Sequence, residues 1–215
     1  LIKLGEEARA HEQIDRLIKE IGNDRDSILK TCEYLEKTRD IPALRYLLHR
    51  VVEADPVLEP YAFRKLLIYE RETASLKQIC HWYEKLHSAG RNLAQFRAQK
   101  AYYDLLSGKN HGESILVAKS LYSSTPNNLE FRILMALAHF RTEELEAALH
   151  ILEKEPVPLW NKGRIGWKMI YSRILEKNGK IQKSEKLLET LASAKLSTAE
   201  REGIENLGKP LETPE

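Results

Sequence analysis

Positions that recur every 34 to 36 residues restrict the fold of this chain more than any other sequence feature. One series runs through Ala10, Leu44, Ile79, Ser114, Ala148 and Ser184, and four of its six members are small. A second series follows one helical turn later through Ile14, Leu48, Tyr83, Ala118, Leu152 and Leu188. A fixed period of this length is typical of proteins that stack copies of one small structural unit. The 215 residues are therefore predicted to form an array of repeats.

Between these positions the apolar residues follow the spacing of amphipathic helices. Residues 41–54 place one apolar stripe on a helix, formed by Ile41, Leu44, Leu47, Leu48, Val51 and Val52. The same spacing predicts helices over 24–38, 59–71, 73–88, 92–107, 113–124, 128–141, 144–154, 165–177 and 181–193. No segment shows the strict alternation of a half-buried strand. We therefore predict an all-α fold with two helices in each period.

Two segments carry the repeat pattern most clearly. Residues 28–56 read ILKTCEYLEKTRDIPALRYLLHRVVEADP, and residues 174–191 read ILEKNGKIQKSEKLLETL. Both resemble the tetratricopeptide repeat (TPR), in which two antiparallel helices each carry a small residue near the middle. The corresponding site in the first helix of each pair holds Cys32, Leu67, Ala101, Ala136 and Ser172. The resemblance spans about residues 5–196 and implies a right-handed α-solenoid of antiparallel helix pairs.

The resemblance divides the chain into one TPR-like solenoid over 1–206 and a flexible tail over 207–215. The solenoid is expected to consist of a partial repeat over 1–22, helix pairs over 24–56, 59–90, 92–126, 127–156 and 162–196, and an end helix over 197–206. Leu1, Ile2 and Leu4 resemble the last turn of a helix whose partner repeat is missing. We therefore expect either further repeats upstream or self-association through this N-terminal edge. Trp160 lies between Pro156 and Gly163 and is expected to cover a neighbouring helix pair or to anchor a partner.

Composition and motifs favour binding over catalysis. The 34 Lys and Arg nearly balance 32 Asp and Glu, which argues against a strongly basic nucleic-acid binder. The sequence contains neither a glycine-rich phosphate loop nor a recognisable hydrolase or metalloprotease motif. Cys80, His81 and His87 form the only cluster worth testing as a metal or thiol site, but helical geometry directs them apart. The sequence therefore predicts no enzyme, no cofactor, no metal site and no membrane span, and it leaves the cellular compartment open.

The charges are distributed unevenly between the two helices of each pair. The first helices of the last four pairs sum to +8, whereas their second helices sum to −2. In the TPR family the first helices line a concave groove. The resemblance implies that the groove positions here are Arg64, Ile68, Arg71, Tyr102, Ile133, Leu137, Arg141, Met169, Arg173 and Lys177. A basic groove of this kind favours an acidic protein or peptide segment as the partner.

The sequence leaves three functional hypotheses. The first is a non-enzymatic scaffold that binds a partner segment in the groove. The second is an RNA-binding helical-repeat protein, in which the basic face follows phosphates and Tyr61, Tyr102, Tyr103 and Trp167 stack on bases. Low net charge and the lack of a repeated base-reading pair argue against nucleic acid. The third is the regulatory arm of a larger enzyme or sensor.

Overall fold

The computed structural model of the chain describes residues 2–21, 24–54, 58–88, 93–153, 163–191 and 195–207. These residues contain twelve α-helices and no strand, which confirms the all-α prediction for the described part of the chain. The helices are α1 (Ile2–Ile21), α2 (Arg25–Thr38), α3 (Ile41–Ala54), α4 (Glu59–Tyr69), α5 (Leu76–Ser88), α6 (Ala94–Ser107), α7 (His111–Ser124), α8 (Leu129–Arg141), α9 (Leu145–Glu153), α10 (Ile165–Lys177), α11 (Ile181–Glu189) and α12 (Thr198–Asn206).

Local side-chain chemistry sets several helix ends. Asn128 precedes α8 and accepts hydrogen bonds from the backbone N–H groups of Glu130 and Phe131, as an N-cap residue should. The Asn178-Gly179 pair after α10 is typical of a left-handed helix end, and Gly179 has this conformation with a φ of 72°. From the sequence, Ser27 is a candidate cap for the first turn of α2, but the structure assigns the cap to Asp24, which accepts from the N–H of Ser27.

The first residues of the chain also differ from the prediction. α1 runs without interruption from Ile2 to Ile21, so Ile2 and Leu4 do not form the last turn of a helix. Gly5 lies inside this helix. A single glycine costs only about 1 kcal/mol in a helix interior, and twenty residues provide enough backbone hydrogen bonds to continue through it.

The chain divides into two compact units, Leu1–Arg71 (unit 1) and Glu72–Glu215 (unit 2). The division lies within the predicted pair 59–90. The single solenoid over 1–206 stays a prediction. The prediction of a flexible tail falls largely on 208–215, and that of the Trp160 segment on 154–162; both ranges lie outside the described residues.

Unit 1 is organised around α3, which packs against α1, α2 and α4. Four of the six residues in its predicted apolar stripe, Leu44, Leu47, Leu48 and Val51, are at most 3% exposed, and Ile41 and Val52 are half-buried. Cys32 from α2 and Phe63 from α4 are buried as well. Burying such side chains against neighbouring helices stabilises a helix array by about 1.5–3 kcal/mol for each large apolar residue.

Glu36 joins α2 to α4 by polar contacts. Its Oε1 atom accepts hydrogen bonds from Lys65 Nζ at 2.5 Å and from Tyr69 Oη at 2.6 Å. These two bonds lower the pKa of Glu36 below its ordinary value of 4.5. The bond from Tyr69 to Glu36 also raises the pKa of Tyr69 to about 12, because a tyrosinate could not donate to the carboxylate.

In unit 2 the helices of the last three predicted pairs contact each other: α6 with α7, α8 with α9, and α10 with α11. Successive pairs are also in contact, since α7 packs against α8 and α9 against α10. α6 and α8 are neighbours, as are α8 and α10. Gln99 connects these three first helices, because its side chain donates to Glu130 of α8 and accepts from Arg164, at the start of α10, at 2.9 Å.

The recurrent positions of the first series lie at helix contacts. Leu44, Ile79, Ser114, Ala148 and Ser184 are all at most 2% exposed. In the last pair, Ser184 of α11 meets Ser172 of α10, the small position of that first helix, with an Oγ–Oγ distance of 2.6 Å. Five of the six recurrent positions are therefore buried, and at Ser184 a small side chain allows two helices to approach closely.

Candidate functional site

The C-terminal helix α12 packs against α5, α6 and α10 of unit 2. Its start follows from the sequence Ser197-Thr198-Ala199-Glu200, because Ser197 accepts a hydrogen bond from the N–H of Glu200. The Oγ atom of Ser197 also donates to Glu200 Oε2 at 3.0 Å. This local cap fixes the first turn of α12 and holds the Glu200 carboxylate against the helix.

One face of α12 is buried. In this face Ala199, Glu200, Ile204 and Leu207 are at most 7% exposed, and Gly203 is buried between them. The outer positions Arg201 and Glu205 are exposed. α12 carries three glutamates and one arginine, a formal charge of −2. The helix seated on α5, α6 and α10 is therefore an acidic amphipathic segment.

Glu200 reaches the middle of α6 through Tyr102. The Tyr102 hydroxyl donates to Glu200 Oε1 at 3.5 Å, and Tyr102 is only 3% exposed. Burial, reinforced by the nearby carboxylate, raises the pKa of Tyr102 well above its ordinary value of 10. Gly166 of α10 borders the same point, since a Cβ atom there would lie 3.0 Å from the Tyr102 hydroxyl and would also strike the Glu200 carboxylate.

Gly203 allows the closest approach of α12 to α6. A Cβ atom at this position would lie 2.7 Å from Leu106 Cβ and 2.9 Å from Leu106 Cδ1. Leu106 is fully buried, and its Cβ atom is attached directly to the backbone. Any residue larger than glycine would therefore force α12 and α6 apart.

Polar contacts hold both ends of α12. At its start, the backbone N–H of Thr198 donates to the carbonyl oxygen of Glu72 at 3.1 Å. Along the helix, Glu202 Oε2 accepts from the backbone N–H of Leu76, the first residue of α5, at 2.7 Å. At its end, Arg141 Nη1 donates to the carbonyl oxygen of Asn206 at 3.4 Å.

Arg141 also binds the end of α6. Its Nε atom donates to the carbonyl oxygen of Leu105 at 2.7 Å, and its Nη2 atom to that of Leu106 at 2.9 Å. Arg141 is 7% exposed, and burial lowers the pKa of its guanidinium. The last carbonyls of a helix lack partners within the helix and carry partial negative charge, which favours a cation there. Arg141 therefore stabilises the C-terminal ends of α6 and α12 together.

A cavity of about 240 Å³ lies beside α12. Phe140 of α8 borders it, together with Arg173, Glu176 and Lys177 of α10 and Ile204, Glu205 and Leu207 from the end of the chain. The exposed Glu205 thus shares a cavity with two basic residues. Arg173 and Lys177 remain exposed, although Arg173 also pairs with Glu176 at 2.9 Å.

The ten predicted groove residues differ in their exposure and in the part of the structure where they lie. In unit 1, Arg64 and Ile68 are exposed and Arg71 is half-buried. In unit 2, Ile133 and Leu137 are fully buried, so their side chains fill the packing of α8 and offer no open surface. Met169 is half-buried. The structure brings the remaining four to α12: Tyr102, Arg141, Arg173 and Lys177.

Sequence reasoning missed α12 as an occupant of this surface. It also missed Gly166, Gly203 and Leu106, which determine the fit. A usable signal was present, because Ser197 and Glu200 have the spacing of a capping box and Gly203 is an unusual residue inside a nine-residue helix.

The described residues hold no group of three or more His, Cys, Asp or Glu side chains placed to bind a metal. Burial raises the pKa of the Cys80 thiol to about 12 and that of Cys32 to about 11. Both thiols are therefore protonated at neutral pH and are weak nucleophiles. None of the helices described is long and apolar enough to span a membrane.

Comparison of the chain with protein-family models, curated proteins and solved structures found no match.

Proposed function

We propose that this protein is a non-enzymatic scaffold that binds an acidic helical segment of a partner protein along the first helices of a TPR-like solenoid. The observation that carries the proposal is the seating of α12. This helix has a formal charge of −2 and lies on α5, α6 and α10. Unit 2 thus already binds one acidic helix, the kind of segment that the basic first helices favour.

The exposed basic residues support the same partner. Arg173 and Lys177 line the cavity that Glu205 also borders, so a carboxylate at this position shares the cavity with two cations. In unit 1, Arg64 and Ile68 offer a cation and an apolar side chain on the exposed side of α4. Exposed charges of this kind mainly increase association rates and specificity, and their effect weakens with salt.

Base stacking receives less support. Tyr102 and Tyr103 are 3% and 2% exposed and therefore offer no free aromatic face. Trp167 is half-buried, and the Arg164 guanidinium lies 5.2 Å from its ring centre. Two of the four aromatic residues on which the RNA hypothesis depends are thus inside the packing of unit 2.

The test compares two double charge reversals in the full chain. Arg173→Glu with Lys177→Glu alters the exposed basic residues of α10. Lys119→Glu with Lys186→Glu makes the same charge change at exposed positions of the second helices α7 and α11. Each protein is used for affinity capture, the retained proteins are identified by mass spectrometry, and binding is then measured with one purified partner at low and high salt.

We expect the α10 variant to bind the purified partner at least about tenfold more weakly at low salt, and the control variant to bind as the wild type does. The proposal is wrong if both variants bind equally well. It is also wrong if both lose binding to the same extent, because net charge alone would then explain the effect. Retention of RNA that survives in the α10 variant would favour the alternative.

A further inference from the structure

The surface beneath α12 fits a helix with small residues at two positions one turn apart. Ala199 is fully buried, and Gly203 lies so close to Leu106 that a Cβ atom would stand 2.7 Å away. On the opposite side, Gly166 of α10 leaves space for the Glu200 carboxylate. The fit is therefore specific in shape and does not depend on charge alone.

α12 brings few large apolar side chains to this surface. Only Ile204 and Leu207 are large and buried, whereas α6 and α8 bury apolar side chains along most of their length. α12 also buries the Glu200 carboxylate, which loses hydration and gains a 3.0 Å bond to Ser197 and a 3.5 Å bond to Tyr102. Elements with few buried apolar contacts open at lower free energy than the rest of a protein. α12 is therefore expected to detach at a lower free energy than that at which α6 or α8 unfolds.

We propose that α12 is an internal occupant of the binding surface of unit 2, and that a partner helix of the same pattern takes its place. The pattern is a capping Ser followed by a small residue, Glu, a glycine one turn later, and then Ile and Leu on the same face. This inference rests on the proposed function, since it names the kind of helix that the scaffold binds. α12 then competes with the partner helix for the same surface. This surface is open to the partner only in the fraction of molecules whose α12 is released.

The probe is a fluorescent peptide of residues 195–207, KLSTAEREGIENL, and its binding to the full chain is followed by anisotropy. Gly203→Ala in the chain should release α12, because the added Cβ atom strikes Leu106, although alanine favours a helix more than glycine does. Gly112→Ala is the matched control, because a Cβ atom there meets nothing within 4 Å. We expect the Gly203→Ala chain to bind the probe about ten times more tightly than the wild type or more, and the Gly112→Ala chain to bind it as the wild type does.

A second peptide separates shape from charge. It carries alanine at the position of Gly203, so that its charge is unchanged and its own helix content is higher. We expect it to bind the Gly203→Ala chain about ten times more weakly than the original peptide or worse. Equal binding of the two peptides would overturn the proposal. It would show that basic residues attract the peptide and that close packing against Leu106 is not required.

The wild-type chain supplies a measurement that needs no substitution in the protein. Arg201 is exposed on α12, and trypsin can cut there only when the helix opens. Excess probe in which Gln replaces Arg at position 201 should increase the rate of cleavage after Arg201 about tenfold or more. An unchanged cleavage rate at saturating probe would overturn the proposal. Binding of the probe to neither the wild type nor the Gly203→Ala chain would also overturn it.

If reversal of Arg173 and Lys177 nevertheless abolishes partner binding, the proposed function stands and only the role of α12 is wrong.

Discussion

The Glu202 carboxylate of α12 accepts a hydrogen bond from the backbone N–H of Leu76 at 2.7 Å. Leu76 is the first residue of α5, and the first N–H groups of a helix have no partner within the helix. A residue 126 positions further along the chain therefore provides the acceptor for the first N–H group of α5. This contact joins the two ends of unit 2, and its removal should weaken both helices.

Glu202→Ala tests this contact. We expect the free energy of unfolding of unit 2 to fall by about 1 kcal/mol, the usual net contribution of one hydrogen bond. Glu205→Ala removes the same charge from an exposed position of α12 and should change stability by less than about 0.5 kcal/mol. Urea unfolding followed by circular dichroism measures both. Equal losses for the two variants would show that charge, and not the contact with Leu76, is responsible.

Arg141→Met should be among the most destabilising substitutions in unit 2. It leaves the carbonyl oxygens of Leu105, Leu106 and Asn206 without their donor. Leaving buried acceptors unpaired costs about 1–3 kcal/mol for each group that water cannot reach. We expect a loss of at least about 2 kcal/mol in urea unfolding, with Lys177→Met as the exposed control on α10. A loss no larger than that of the control would contradict this role of Arg141.

Ser184→Leu tests the meaning of the sequence period. Ser184 is 1% exposed and lies 2.6 Å from the Ser172 hydroxyl, so a leucine must push α10 and α11 apart. Overpacking a tight contact costs about 1–3 kcal/mol. Gln182→Leu adds a leucine to an exposed position of the same helix and should be nearly neutral. Similar thermal midpoints for the two variants would mean that the recurrent small residues are not packing sites.

Acid should remove the contribution of Glu36 to the stability of unit 1. Hydrogen bonds from Lys65 and Tyr69 lower the pKa of Glu36 in the folded chain. The stabilisation is therefore present above its ordinary value of 4.5 and is lost as the pH falls through the lowered folded-state value. We expect Glu36→Gln to be less stable than the wild type at pH 7 and the difference to shrink below about pH 4.5. A difference that stays constant down to pH 3 in urea unfolding would rule out this linkage.

The sequence could predict the helices because their signals are local. The apolar spacing of 41–54 reappears as α3, and recurrent small positions such as Ser184 reappear as buried contacts. Even local reasoning did not identify the cap of α2, since Asp24 and Ser27 are both suitable and only the backbone conformation selects Asp24.

The surface on which α12 packs could not be predicted in the same way. Glu200 meets Tyr102 across 98 positions, and no periodicity relates the two residues. The glycines at 166 and 203 fit this contact, but a glycine in a helix shows its role only when the neighbouring backbone is known. The same limit applies to the charges. The excess of Lys and Arg on the first helices is visible in the sequence, whereas burial separates Arg141 from the exposed Arg173.

Hydrogen exchange in the wild-type chain is the most direct test of the central claim. This claim is that unit 2 has a surface that binds acidic helices and that α12 occupies this surface. The chain is exchanged with and without excess 195–207 peptide labelled with ¹³C and ¹⁵N, so that fragments of α12 and of the peptide differ in mass. We predict that saturating peptide speeds exchange in α12 and leaves α6 and α8 as protected as before. Unchanged or slower exchange in α12, with peptide bound, would contradict the replacement of one helix by the other.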